Sequence, residues 1–184
     1  METPVELRPS LIWLFPLIFV IHDGEEAFTM AAWLNNHREL LRNIADAAPL
    51  SRRIVANMPS TNGAVAGAIA FELLIVLAAT IGFARFLRFA SRSRSAVYIY
   101  AALLAAYLVH VVAHIGQSII LGMYTPGVVS AVLVVPPVGG YLYWQLLRCR
   151  LLDAKSAAIS AAAGVLSILP IVTTAHLIGR WLFN

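Results

Sequence analysis

Residues 10–33 read SLIWLFPLIFVIHDGEEAFTMAAW. An apolar run from Leu11 to Ile21 passes directly into His22, Asp23, Gly24, Glu25 and Glu26, and apolar residues then resume. The stretch has the roughly 20 residues that an α-helix needs to cross a bilayer. A cleaved leader would carry an uninterrupted apolar core followed by a small-x-small cleavage site. Here acids and a histidine interrupt the core, and no such site follows. The stretch therefore reads as a retained first membrane helix, opened by Pro9, with Trp13 and Trp33 near the two interfaces where aromatic anchors are favoured.

Four further apolar runs extend this reading, at 63–86, 96–122, 127–147 and 156–182. The composition agrees: 60% of the 184 residues are apolar and 12% charged, against roughly 45–50% and about 25% in soluble domains. The expected fold is all-α, a single integral membrane domain over 1–184 built as a bundle of about five transmembrane helices. In the long connection at 34–62, Leu40, Leu41, Ile44 and Ala48 recur at helical spacing between Arg38, Arg42 and Asp46, which predicts a short amphipathic helix at the interface. Small residues open the second span (Gly63, Ala64, Ala66, Gly67, Ala68, Ala70) and favour close helix approach. Pro136, Pro137, Gly139 and Gly140 predict a kink or break in the fourth span.

The net charge is +4, and arginine supplies most of the basic residues. They lie between the apolar runs, which points to topology and anionic membrane lipids as contacts. No aromatic-and-basic stripe accompanies them, so a nucleic-acid partner is not expected. Arg8, then Arg85, Arg88, Arg92 and Arg94, then Arg148, Arg150 and Lys155 share one side. They outnumber Arg38, Arg42, Arg52, Arg53 and Arg180 on the other, which puts the N-terminus in the cytoplasm. Cys149 is the only cysteine, so no internal disulfide and no cysteine-based metal cage can form.

Depth along the spans groups the polar residues. With a rise of about 1.5 Å per residue, Glu72 lies about 13 Å in from the long-loop end of its span. His22, Glu25, Glu26, His110, His114 and His176 fall in the same half of the membrane. A charged side chain at a helix centre costs roughly 2.5–3.5 kcal/mol on insertion scales. Scattering these groups over lipid-facing surfaces is therefore expensive, and the cost falls if they face one another, share protons or bind a cation. His22, Glu25 and Glu26 stand at i, i+3 and i+4; His110, His114 and Gln117 stand at i, i+4 and i+7. The metal-ligating candidates are His22, Glu25, Glu26, Glu72, His110 and His114, with Glu25 and Glu26 also catalytic candidates. Asp23, Gln117, Tyr124 and His176 are candidates for supporting or substrate contacts. Mixed oxygen and nitrogen donors suit zinc, iron or manganese, as one or two ions.

The HDGEE of 22–26 and the YTPG of 124–127 together resemble the HXXEE-domain family of small bacterial membrane proteins. That family is described by HxxEE, a further histidine and YxPG; the further histidine maps to His110 or His114. The resemblance implies a bacterial membrane protein built around the cluster, in the cytoplasmic membrane, and names no reaction. Locally, YTPG reads either as Thr125 capping the fourth helix with Pro126 at its first position, or as a type II turn through Pro126-Gly127.

Three functions compete. The leading one is a membrane metalloenzyme, hydrolase-like or oxygen-activating, acting on a lipophilic small molecule. The second is a metal-independent isomerase or cyclase that relays protons through Glu and His, with a layout like the EXPERA fold. The third is non-enzymatic: an ion or proton carrier, or a metal-handling accessory protein, working as a homo-oligomer.

Overall fold

A computed structural model describes residues 7–89 and 94–183, and only the backbone at Leu50, Ile54 and Asn57. Arg92 lies outside the described residues. The chain is all-helical there: a 3-10 turn at Leu11–Trp13, then α1 (Leu14–Asn36), α2 (Arg38–Ala47), α3 (Pro49–Asn57), α4 (Asn62–Phe89), α5 (Ser95–Leu121), α6 (Val128–Leu133), α7 (Val135–Arg148) and α8 (Ala154–Phe183).

Among the described residues, three helices are long and apolar enough to cross a membrane: α4, α5 and α8. That is fewer than the five spans expected from the apolar runs, and the two shortfalls have physical causes. α1 has 23 residues, yet Asp23, Glu25 and Glu26 dilute its hydropathy. The fourth run is broken into α6 and α7 at Val134. Pro136 and Pro137 have no N–H, so the carbonyls of Val132 and Leu133 lose their donors four residues on. The connection after α1 also differs from expectation. It forms two short helices rather than one, because Ala48 precedes Pro49 and is extended at φ −158°.

α8 packs along α4 and α5, and α1 lies against α4, α6 and α7. Glycine makes the first of these possible. A Cβ on Gly164 would meet the carbonyl of Ala102 in α5, and one on Gly179 would meet the carbonyl of Ala64 in α4. The core fills the end of the bundle away from the cluster: Phe15, Phe83, Tyr100 and Leu104 are fully buried, and Tyr100 donates its hydroxyl to the Ile12 carbonyl at 2.9 Å. Beyond this packing, α1, α5 and the 122–127 loop bring the polar residues together.

Candidate metal centre

His22 and Glu26 are one turn apart on α1, and His110 and His114 are one turn apart on α5. Each offers one ligand atom, and the four atoms lie within 4.8 Å of one another. A tetrahedral ion with bonds of about 2.0–2.1 Å holds its donors about 3.4 Å apart.

Hydrogen bonds from outside the group fix which ring atoms face inward. Ser130 has a single hydroxyl hydrogen, which it donates to Glu25 Oε2. Toward His22 Nδ1, 2.9 Å away, Ser130 Oγ can then only accept. His22 therefore carries its hydrogen on Nδ1, and its Nε2 presents a lone pair. His114 Nδ1 sits 2.9 Å from the Pro126 carbonyl, which also can only accept, so His114 Nε2 presents a lone pair too. That atom lies 2.9 Å from His110 Nε2 and 3.0 Å from Glu26 Oε1. His114 Nε2 has His110 Nε2 as a hydrogen-bond partner, whereas an ionised Glu26 brings no hydrogen to its approach to His114. Glu26 Oε1 and His22 Nε2 are indeed buried without a hydrogen-bond partner. An orphaned buried polar atom costs roughly 1–3 kcal/mol. A cation among these electron pairs removes that penalty, and imidazole and carboxylate donors suit zinc or iron. The residues fit the ion they are expected to hold.

The loop at 124–127 supplies the supporting contacts, and each letter of YTPG has a role. The Tyr124 hydroxyl donates to Glu25 Oε1 at 2.9 Å, and burial pushes that phenol above its ordinary value, so it stays a donor at neutral pH. Thr125 Oγ1 shares a 2.6 Å hydrogen bond with Ser118. Pro126 offers its carbonyl to His114. Gly127 has φ +84° and ψ −11°, and Val128 N–H donates to the Thr125 carbonyl at 3.1 Å. Of the two local readings, the type II turn is the one that forms, with Gly127 at its third position. α6 then starts at Val128, so Thr125 is not its cap.

The two glutamates of the motif do different jobs. Glu26 joins the group of four. Glu25 faces the start of α6, where it accepts the N–H groups of Val129 at 3.2 Å and Ser130 at 2.8 Å. It satisfies donors that a helix N-terminus leaves open. Asp23 is also outside the group: it is buried and accepts the Tyr107 hydroxyl at 2.7 Å. Asp23 and Glu72 line a small cavity of about 60 Å³ behind His110. Gln117 and His176 line a larger cavity of about 380 Å³ that opens over Glu26, His110 and His114. This cavity reaches Arg53 and Met58, so the cluster lies on the side of the long connection. Gly24 has open space around it.

Sequence reasoning missed Ser130 and Tyr107 as parts of the site, while Gly127 entered it only as a turn residue of YTPG. Tyr107 had a signal, since it precedes His110 by one helical turn; Ser130 had only its place three residues after YTPG. Ser130 makes a direct prediction. Ser130→Ala frees His22 to take the other tautomer, and metal affinity is expected to fall about 10–100-fold, the usual effect of losing an outer partner. Competition with a chromophoric chelator measures it, and wild-type affinity in the variant would show that His22 needs no such anchor.

No curated protein and no solved structure matches the chain. A family described as "Protein of unknown function with HXXEE motif" matches residues 13–142, a segment that contains the four donors, Glu25, the YTPG turn and Ser130. The chain belongs to this HXXEE family.

Proposed function

We propose that the protein is a membrane metalloenzyme in which His22, Glu26, His110 and His114 hold one zinc- or iron-type ion, acting on a lipophilic substrate. The observation that carries this reading is the convergence of His22 Nε2, His114 Nε2 and Glu26 Oε1 as electron-pair donors, with two ring tautomers fixed from outside. Bound there, the ion supplies Lewis acidity toward a substrate oxygen. The chain's own residues do the rest. His22 and His114 stay neutral donors because Ser130 and Pro126 hold their Nδ1 hydrogens. Glu26 is the one carboxylate of the four, and its other oxygen, the one not turned to the ion, takes up a proton released in the site. The larger cavity admits the substrate and keeps bulk water away. Hydrolysis of an ester or amide in a lipid-like molecule is the plainest reaction for such a set when three of the four donors hold the ion and the fourth stands back to leave a position open.

In this reading α1 and the α6–α7 pair also cross the membrane, giving five crossings with the N-terminus cytoplasmic. Their polar atoms are spent on one another and on the centre rather than turned to lipid. Protein purified in detergent is expected to carry about one zinc or iron per chain by mass spectrometry, and its cobalt form to show the visible bands of a four-coordinate nitrogen and oxygen site. Purified protein that holds no metal, and takes none on reloading, would remove the proposal. It would favour a metal-independent proton relay instead, which the 2.9 Å approach of His110 Nε2 to His114 Nε2 also supports as a hydrogen bond.

A further inference from the structure

The two cavities that meet at His110 differ in charge. The small one, behind the histidine, holds Asp23 and Glu72. The large one has a single acid, Glu26, which is spent on the centre, and it has Arg53 at its outer end. The lining also includes Gln117, Thr173 and His176, which are polar, and Met30, Leu34 and Leu169, which are apolar. Arg53 stands on α3 and is exposed, and no ion pair among the described residues involves it; the neighbouring Arg52 pairs with Asp46 instead. A divalent ion beneath, held by three neutral imidazoles and one carboxylate, leaves a further positive charge at the floor. The cavity is thus positive at both ends and apolar along its side. An anion is favoured there and a cationic amphiphile is not. Its volume of about 380 Å³ falls in the lower part of the roughly 300–1,000 Å³ range of small-molecule sites. That size suits one chain rather than a two-chain lipid.

We propose that this cavity binds a single-chain amphiphile with an anionic head, carboxylate or phosphate, the head against Arg53 and the chain along the Met30, Leu34 and Leu169 wall. As the substrate class of the centre, this assignment rests on the metal reading above.

The test uses the full chain in phosphatidylcholine nanodiscs with 11-(dansylamino)undecanoate as probe. Binding is read by dansyl emission excited through tryptophan, because Trp33 lines the cavity. The acid is expected to bind saturably and at least about tenfold more tightly than its uncharged methyl ester, with dodecyl phosphate competing. Arg53→Gln should bring the acid to the affinity of the ester. Arg42→Gln, on the exposed side of α2, should change nothing. Equal affinity for acid and ester, or equal effects of the two arginine changes, would overturn the proposal. So would displacement of the probe by phosphatidylglycerol in the disc, which would make the occupant a membrane lipid. Metal counts on the same samples separate the two ideas. Metal-free protein that still selects the acid through Arg53 sinks the centre and leaves the ligand class standing. Metal-loaded protein that does not select the acid does the reverse.

Discussion

Under the metal-centre proposal, Gly127→Ala is expected to cost the protein its ion as completely as His114→Ala does, although it removes none of the four donors. Gly127 sits at φ +84°, a conformation that costs an L-residue roughly 1–2 kcal/mol. A Cβ there would stand 2.9 Å from His22 Cε1, 3.1 Å from Glu26 Oε1 and 3.2 Å from Glu26 Cγ. Cε1 adjoins the Nε2 donor, so the contact pushes on the part of the ring that must not move. The ring cannot retreat freely, since Ser130 holds its Nδ1 at 2.9 Å. Two of the four donors are displaced by one methyl group. We expect affinity to fall at least about a hundredfold, the upper end of what outer residues do, because both strain and contact act on the centre. Size-exclusion behaviour and far-ultraviolet circular dichroism should stay those of the wild type, because the turn lies outside the packing of α4, α5 and α8. A Gly127→Ala protein with wild-type metal content would show that the loop does not shape the site.

This coupling explains why the site was only half legible in the sequence. Helical spacing put His22 and Glu26 on one face and His110 and His114 on another, and depth in the membrane put the two faces at one level. The same spacing could not separate Glu25 from Glu26. Adjacent residues are about 100° apart around a helix, and only the position of α5 and α6 decides which one meets the histidines. Glu72 was at the right depth but on a helix whose rotation the sequence does not reveal, and it faces the cavity behind His110. Ser130 carries no ligating chemistry and is 108 residues from His22, so nothing local marked it. The fold divides in the same way. α4, α5 and α8 declare themselves by length and hydropathy, and the break between α6 and α7 was announced by two prolines. α1 escapes a hydropathy count because of the very residues that make the site.

Gly164→Val is expected to be strongly destabilising to the packing of α8, and it tests the bundle independently of any ligand. In a bilayer, apolar burial gives helices little reason to associate, so close backbone contact carries the load. At Gly164 an added Cβ would run into the Ala102 carbonyl, 2.8 Å from its carbon and 3.2 Å from the Ala106 nitrogen. These are backbone atoms inside α5, and no rotamer change moves them. α8 must then shift away from α5 as a body. Overpacking typically costs 1–3 kcal/mol even where side chains can adjust, and we expect at least the upper end of that range, read as a lowered unfolding midpoint in detergent. Gly140→Ala is the matched control: α7 has open space there, and losing a helical glycine should leave stability unchanged or raise it by up to about 1 kcal/mol. A Gly164→Val protein as stable as wild type would mean that α5 and α8 are not in backbone contact. The consequence reaches the site as well. Leu169, Val172, Thr173 and His176 of α8 form one wall of the large cavity, while His110 and His114 of α5 form its floor. Prising the two helices apart at Gly164 opens that wall to lipid, so stability and the enclosure of the centre should fall together.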